Sequence, residues 1–214
     1  VAAEVGLGSR VAAITSTFTQ GNLTHVENPF SVALEGDGFF QIRTESGELQ
    51  YTRDGSFEIS PVANGNMLCT SDGNPVLDAY GNQIILPSNR VATDLVVNQD
   101  GTLAFPDGTG NPAVITDANG RPVKFGIYQF NNPAGLSKEG SNNYSVTVAS
   151  GAAVAENGNA AVKQTKTHQY YTEASNVDVA NEMVNLIVAQ RAYEMNSKAI
   201  QASDEMMQQA NALR

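Results

Sequence analysis

The sequence is short of nearly everything that chemistry at a site requires. It has one cysteine, no tryptophan and two histidines in 214 residues. A lone thiol, Cys69, excludes an intrachain disulfide and a thiolate metal cluster, and it is expected as a small buried strand residue. No G-x-S-x-G elbow, phosphate-cradling G-x-x-x-x-G-K-[ST] or H-E-x-x-H helix occurs. His25 and His168 lie far apart in polar or Thr-rich surroundings and are expected as surface strand residues, not bases or ligands. With 22 acidic residues, chance carboxylate pairs are easy and carry no signal. No catalytic, cofactor-binding or metal-binding residue is therefore assigned, and no enzyme is expected. The N-x-[ST] triplets at Asn22 and Asn143 are read as coincidence.

Positive charge is scarce too. Twelve basic residues against 22 acidic ones give a net charge of -10, which works against a phosphate-neutralising surface, so no nucleic-acid partner is expected. No run approaches the ~20 apolar residues that span a bilayer, and no basic start precedes an apolar block. Neither membrane insertion nor a cleaved signal is expected. The chain begins at Val1 and its first methionine is Met67, as expected of a fragment or a processed product.

What is present falls into two compositions. All 19 Gly and all 8 Pro lie at or before Gly158. Up to there, short β-prone runs such as NQIILP, DLVVN, GTLAF, PAVIT and VKFGIYQF alternate with Gly-containing turns, the rhythm of an antiparallel all-β domain. Asp37-Gly38 and Asp54-Gly55 are strong turn signals and predict hairpins. Further turns are expected at Ser71–Asn74, Asp78–Asn82, Gln99–Gly101, Pro106–Gly108 and Asp117–Gly120. The calcium-loop pattern with its terminal Glu is absent, so these read as ordinary turn chemistry. Residues 1–24 suit an extended lead-in and residues 25–172 a β-rich domain, with Tyr144–Val148 and Lys163–Thr172 as late strands.

Residues 173–214 form the second composition, a long C-terminal α-helix. Ser175 and Asn176 are candidate N-caps, and Asp178 and Glu182 place negative charge where the helix dipole favours it. A helix from there to Ala212 is about 55 Å long at ~1.5 Å per residue. Its first half carries Val179, Ala180, Met183, Val184, Leu186, Ile187, Val188 and Tyr193 over more than half the circumference. Its second half carries a narrower stripe, Met195, Ala199, Ala202, Met206, Ala210 and Leu213, with Ile200 and Met207 to one side. One contact surface cannot cover so broad an arc. A helix lying on its own domain is the simpler alternative, but a ~170-residue body is only about 35–40 Å across. Partner helices are expected, from neighbouring copies or from a segment upstream. The candidate packing residues are Val179, Met183, Val184, Leu186, Ile187, Val188, Tyr193, Met195, Ile200 and Met206.

Residues 175–207, SNVDVANEMVNLIVAQRAYEMNSKAIQASDEMM, resemble the C-terminal helix of the bacterial flagellar rod and hook axial proteins, with RAYEMNSKA most similar to the rod members. FTQGNLTHVENPFSVALEGDGFFQI, then YTRDGSF, is similar to the family's other signature, and FNNPAGL fits as well. The resemblance implies a structural subunit of the flagellar basal-body rod, the hollow helical shaft joining motor to hook. It implies N- and C-terminal helices paired as a coiled-coil-like inner domain, with the β domain as the outer layer. Implied partners are copies of the same chain, other rod proteins, the hook subunit and the surrounding ring bushing. The implied location is the periplasm-spanning basal body, reached through the flagellar type III export apparatus. By the same resemblance the N-terminal partner helix is expected to be missing from this sequence. Sister axial proteins, the hook subunit or proximal rod, share both signatures. An extracellular carbohydrate-binding β domain would need an aromatic platform that 7% aromatics do not favour.

Overall fold

The computed structural model describes residues 10, 15–107, 112–117, 119–159 and 161–212. Most of the expected lead-in, together with Gly108, Ala118 and Leu213, lies outside the described residues. The chain divides into two compact units, Val1–Ala174 and Ser175–Arg214.

The first unit is antiparallel β throughout its described strands. In chain order these are β1 (Leu23–His25), β2 (Val32–Glu35), β3 (Phe39–Arg43), β4 (Leu49–Thr52), β5 (Glu58–Val62), β6 (Gly65–Cys69), β7 (Ile85–Leu86) and β8 (Val96–Val97). There follow β9 (Leu103–Pro106), β10 (Pro112–Val114), β11 (Ile127–Gln129), β12 (Ser137–Gly140), β13 (Asn143–Ser145), β14 (Val154–Ala155), β15 (Lys166–Gln169) and β16 (Tyr171–Glu173). The largest sheet has the order β12-β13-β4-β3-β11-β14; smaller ones are β5-β6-β7 and β10-β9-β8, with the pairs β15-β2 and β1-β16. The second unit is α1 (Val179–Ala212). A mainly β chain with a long C-terminal helix is thus what the sequence specifies.

The imperfect alternation in β3 has a physical cause: both faces of that strand are covered. Phe40 enters the main core, edge-on to Phe57 at 4.9 Å and to Phe125 at 5.3 Å between ring centroids. Phe39 points the other way, into a second cluster with Tyr51, Phe130 and Leu136, against which Phe18 and Tyr144 pack. Fully burying such a ring stabilises by about 1.5–3 kcal/mol, and edge-to-face pairs add roughly 0.5–1.5 kcal/mol. Strands buried on two faces lose the period-two signal.

Among the described residues one turn recurs five times. At Thr44, Thr70, Asp78, Asn98 and Asp117 the first residue's amide donates to the carbonyl four residues on, and the glycine three residues on donates back to its carbonyl. These glycines, Gly47, Gly73, Gly81, Gly101 and Gly120, have φ between 75° and 87°. This is a tight turn followed by a left-handed bulge, which glycine enters without a Cβ clash. Acidic first residues reinforce it. Asp78 Oδ1 accepts from the amides of Tyr80 and Asn82, and Asp117 Oδ1 from those of Asn119 and Arg121, all at 2.8 Å.

Two expected hairpins are not hairpins. β2 pairs with β15, whereas β3 pairs with β4 and β11, so Asp37-Gly38 is a corner between sheets. Asp54-Gly55 likewise carries the chain from β4, paired with β3 and β13, to β5, paired with β6. The glycine in the second corner serves close approach: a Cβ on Gly55 would fall onto the carbonyl of Val32, whose own amide donates to Gly55 O at 3.0 Å. The late strand is also broken in two, because Tyr170 sits at φ 65° between β15 and β16.

Gly55→Ala is expected to destabilise the β unit by about 2–3 kcal/mol, since backbone on both sides must move. Gly73→Ala, at positive φ but with open space around it, is expected to cost about 1–2 kcal/mol. Urea midpoints of the two variants check the order. The acid limb has a defined origin as well. Hydrogen bonds from the Arg121 and Asn119 amides hold Asp117 below the usual aspartate range despite some desolvation. At Asp100, desolvation is outweighed by the Thr102 hydroxyl and amide together with Lys124, so its pKa is lowered too. A depressed folded pKa gives stability that is present above the unfolded value, about 3.9 for aspartate, and lost as pH falls through the folded one. Unfolding midpoints are therefore expected to fall below about pH 4, and less steeply in Asp117→Asn.

Candidate assembly surface

The second unit is built from local rules alone. Its 34 residues contain no Gly or Pro and are rich in Ala, Met, Glu and Gln, all favourable in helix interiors. The cap differs from expectation. Asp178, not Ser175 or Asn176, closes the helix: its Oδ1 accepts the Ala180 amide at 3.0 Å, its carbonyl accepts the Glu182 amide at 3.0 Å, and its Oδ2 accepts from Asn181 Nδ2 at 2.7 Å. Ser175 instead accepts the Val177 amide at 3.2 Å in the preceding turn. The carboxylate wins because it combines the cap with charge at the positive end of the dipole.

No residue of the helix is buried. All ten predicted packing residues lie on it and are exposed, from Ile187 at 53% to Tyr193 at 78%. Their spacing resolves into two seams. Val188, Ala192, Met195, Ala199, Ala202 and Met206 follow the alternating four-three steps of a heptad. Val179, Met183, Leu186, Gln190, Tyr193, Ser197 and Ile200 follow the same steps on another line. At ~3.6 residues per turn the two lines lie about 170° apart, on opposite sides of the helix. Val184 falls beside the first seam, and Ile187 between the two, at the head of the line that Arg191, Glu194 and Lys198 continue. Arg191, Glu194, Lys198 and Glu205 occupy a polar strip between them in the second half, with Arg191 and Glu194 paired at 3.1 Å. The first seam alternates small and large side chains, which allows close approach of another helix. Met207, to one side of the narrower stripe, is also exposed, at 57%.

The chain's histidines and cysteine sit apart from this surface in the sequence and are engaged locally. His168, on β15, bonds Glu35 at 2.7 Å, and that hydrogen bond holds the Glu35 carboxyl below its ordinary pKa despite some desolvation. His25, on β1, lies edge-on to Tyr171 at 5.3 Å. Cys69 ends β6, buried, with its thiol pKa raised by burial and by Glu58. Among the described residues no group of three or more His, Cys, Asp or Glu is arranged to hold a metal ion.

Two family models match. Residues 168–213 match the C-terminal region of flagellar basal-body rod proteins FlgEFG, and residues 33–105 match the D1 domain of flagellar hook proteins FlgE/F/G. A strand-rich body and a bare C-terminal helix that both match these models define the class, the flagellar axial proteins. Over 215 residues the chain is 39% identical to the flagellar basal-body rod protein FlgG of Borreliella burgdorferi, covering 99% of this chain and 74% of that one. It is 38% identical to FlgG of Agrobacterium fabrum, over 95% of this chain and 72% of the relative, and 35% identical to FlgG of Bacillus subtilis, over 96% and 73%. The chain belongs to the family of flagellar basal-body rod proteins FlgG.

Asp178→Ala is expected to cost the helix about 1 kcal/mol. Faster amide exchange at Ala180 and Asn181, with the β unit unchanged, would show it.

Proposed function

We propose that the chain is a structural subunit of the bacterial flagellar basal-body rod, in its distal segment. In this reading residues 173–214 pack with other helices as the inner layer of a hollow helical tube, and residues 25–172 form its outer layer. Torque passes from motor to hook through many weak lateral contacts repeated along an open helical assembly. Partners are further copies of this chain, other rod proteins, the hook subunit and the surrounding ring bushing. The site of action is the periplasm-spanning basal body, reached by flagellar type III export. The role is mechanical and uses no catalytic group, metal or cofactor.

The observation that carries this reading is the helix itself: large apolar side chains exposed along two opposite seams, with no residue buried. The family's relatives supply the setting, since those cited carry the name of basal-body rod proteins. Ile187→Asp places a charge where helices are to pack, and an unpaired buried charge costs several kcal/mol. The variant is expected to leave the urea midpoint of the β unit unchanged while cells carrying it lose the distal rod and motility. Normal swimming with normal rods in electron micrographs would reject the role given to the helix.

A further inference from the structure

The chain passes from the β unit to the helical unit at Ala174, the last residue of the first unit. The strand that ends beside it, β16, is three residues long and among the described strands pairs only with the equally short β1, with Leu23 opposite Glu173. An isolated two-stranded ribbon of this length is marginal in water. Its near end is held where Tyr170 joins it to β15 and donates its amide to Ser31 O at 2.9 Å, and its far end needs a fixed point of its own.

We propose that the Arg53–Glu173 ion pair is the force-transmitting anchor that holds this exit ribbon to the β body; the inference rests on the rod-subunit reading. Arg53 follows β4 and engages Glu173 with two nitrogens, Nε to Oε2 at 2.8 Å and Nη2 to Oε1 at 3.4 Å. Its third nitrogen, Nη1, donates to the carbonyl of Gly38 at 3.2 Å, and the guanidinium lies 5.8 Å from the centroid of the buried Phe39 ring. Both side chains are only 14% exposed. The Glu173 carboxylate also accepts the amide of Gly21 at 2.9 Å, while the amide of Ala174 donates to Asn22 O at 2.9 Å. One carboxylate therefore gathers the entering segment, the leaving strand and the body.

The position is what gives the pair its role. A strand peeled from its C-terminal end loses its last residue first, and here that residue is the charged one. Bidentate, largely desolvated pairs of this type are the strong hydrogen bonds of proteins. The pair spans 120 residues and joins the two family-matched segments, 33–105 and 168–213.

The test uses the full chain with Arg53→Gln, Glu173→Gln and the charge-swapped double variant Arg53→Glu/Glu173→Arg. Each single variant is expected to speed amide exchange about 10- to 100-fold in residues 22–26 and 171–174. The amides of Leu68 and Leu103 should hold their rates, and the double variant should recover part of the protection. In cells, Arg53→Gln subunits are expected in purified basal bodies, with swimming that fails as medium viscosity rises while the parent strain still swims. Unchanged exchange in the ribbon overturns the anchor, and so does faster exchange with undiminished swimming in viscous medium. Absence of Arg53→Gln subunits from basal bodies overturns it as well, because the pair then serves folding or export. Absence of the unmodified chain from basal bodies is a separate result that removes the rod reading itself.

Discussion

The exposure of the helix's apolar side chains on opposite sides is the constraint on which the rest of this molecule turns. An isolated helix in water gains little from its backbone hydrogen bonds and is usually held by burying one apolar face. This one buries none, and its apolar side chains stand on opposite sides, so no single flat surface covers both. Covering five of the ten large ones would contribute on the order of 10 kcal/mol, before the cost of ordering them. Order in the helix and association are then one process. On the rod-subunit reading, the chain gains its final stability where neighbours supply the missing surfaces.

The β unit shows the opposite economy. Its core closes on itself around Phe40, Phe57 and Phe125, and several of its sheet edges resist pairing with another chain. The edge strand β5 contains Pro61, the edge strand β10 begins with Pro112, and the edge strand β12 carries Lys138 and Glu139 on an exposed ladder. Proline and charge at an edge withhold donors and oppose burial. A net charge of -10 adds repulsion between copies. Both features discourage β-addition and leave the helix as the surface with something to gain from contact.

How much of this was legible in the sequence follows from how local each feature is. The recurrent turns could be read because a glycine at positive φ and an Asp bonding the next amides are decided within five residues, as at Asp78–Asn82 and Asp117–Arg121. Strand partners could not be read, because they are decided across the chain. Asp37-Gly38 has the letters of a hairpin, yet the strands it joins belong to different sheets. Phe39 and Phe40 hid their alternation because two cores, not one, take them. On the helix, the breadth of the apolar arc was plain from composition, but Gln190 and Ser197 interrupt the second seam and blur it into a general oiliness. Asp178 was seen as first-turn charge and missed as the cap. Glu173 and Arg53, 120 positions apart, gave no signal of being neighbours.

The two units thus draw stability from different sources, and the join between them is where those sources must agree. A body that folds by its own core needs nothing from neighbours, and on the rod-subunit reading the helix is held in place by them. Between the end of β16 and the start of α1 lie Ala174–Asp178, with neither glycine nor proline. Ser175 and Asp178 each bond an amide two residues on, which removes freedom from so short a segment. Five residues reach at most about 18 Å even when fully extended. The chain length between the two units is therefore fixed within that reach. On the rod-subunit reading, a load carried along the chain from the helix would meet the body first at the strand ending at Glu173.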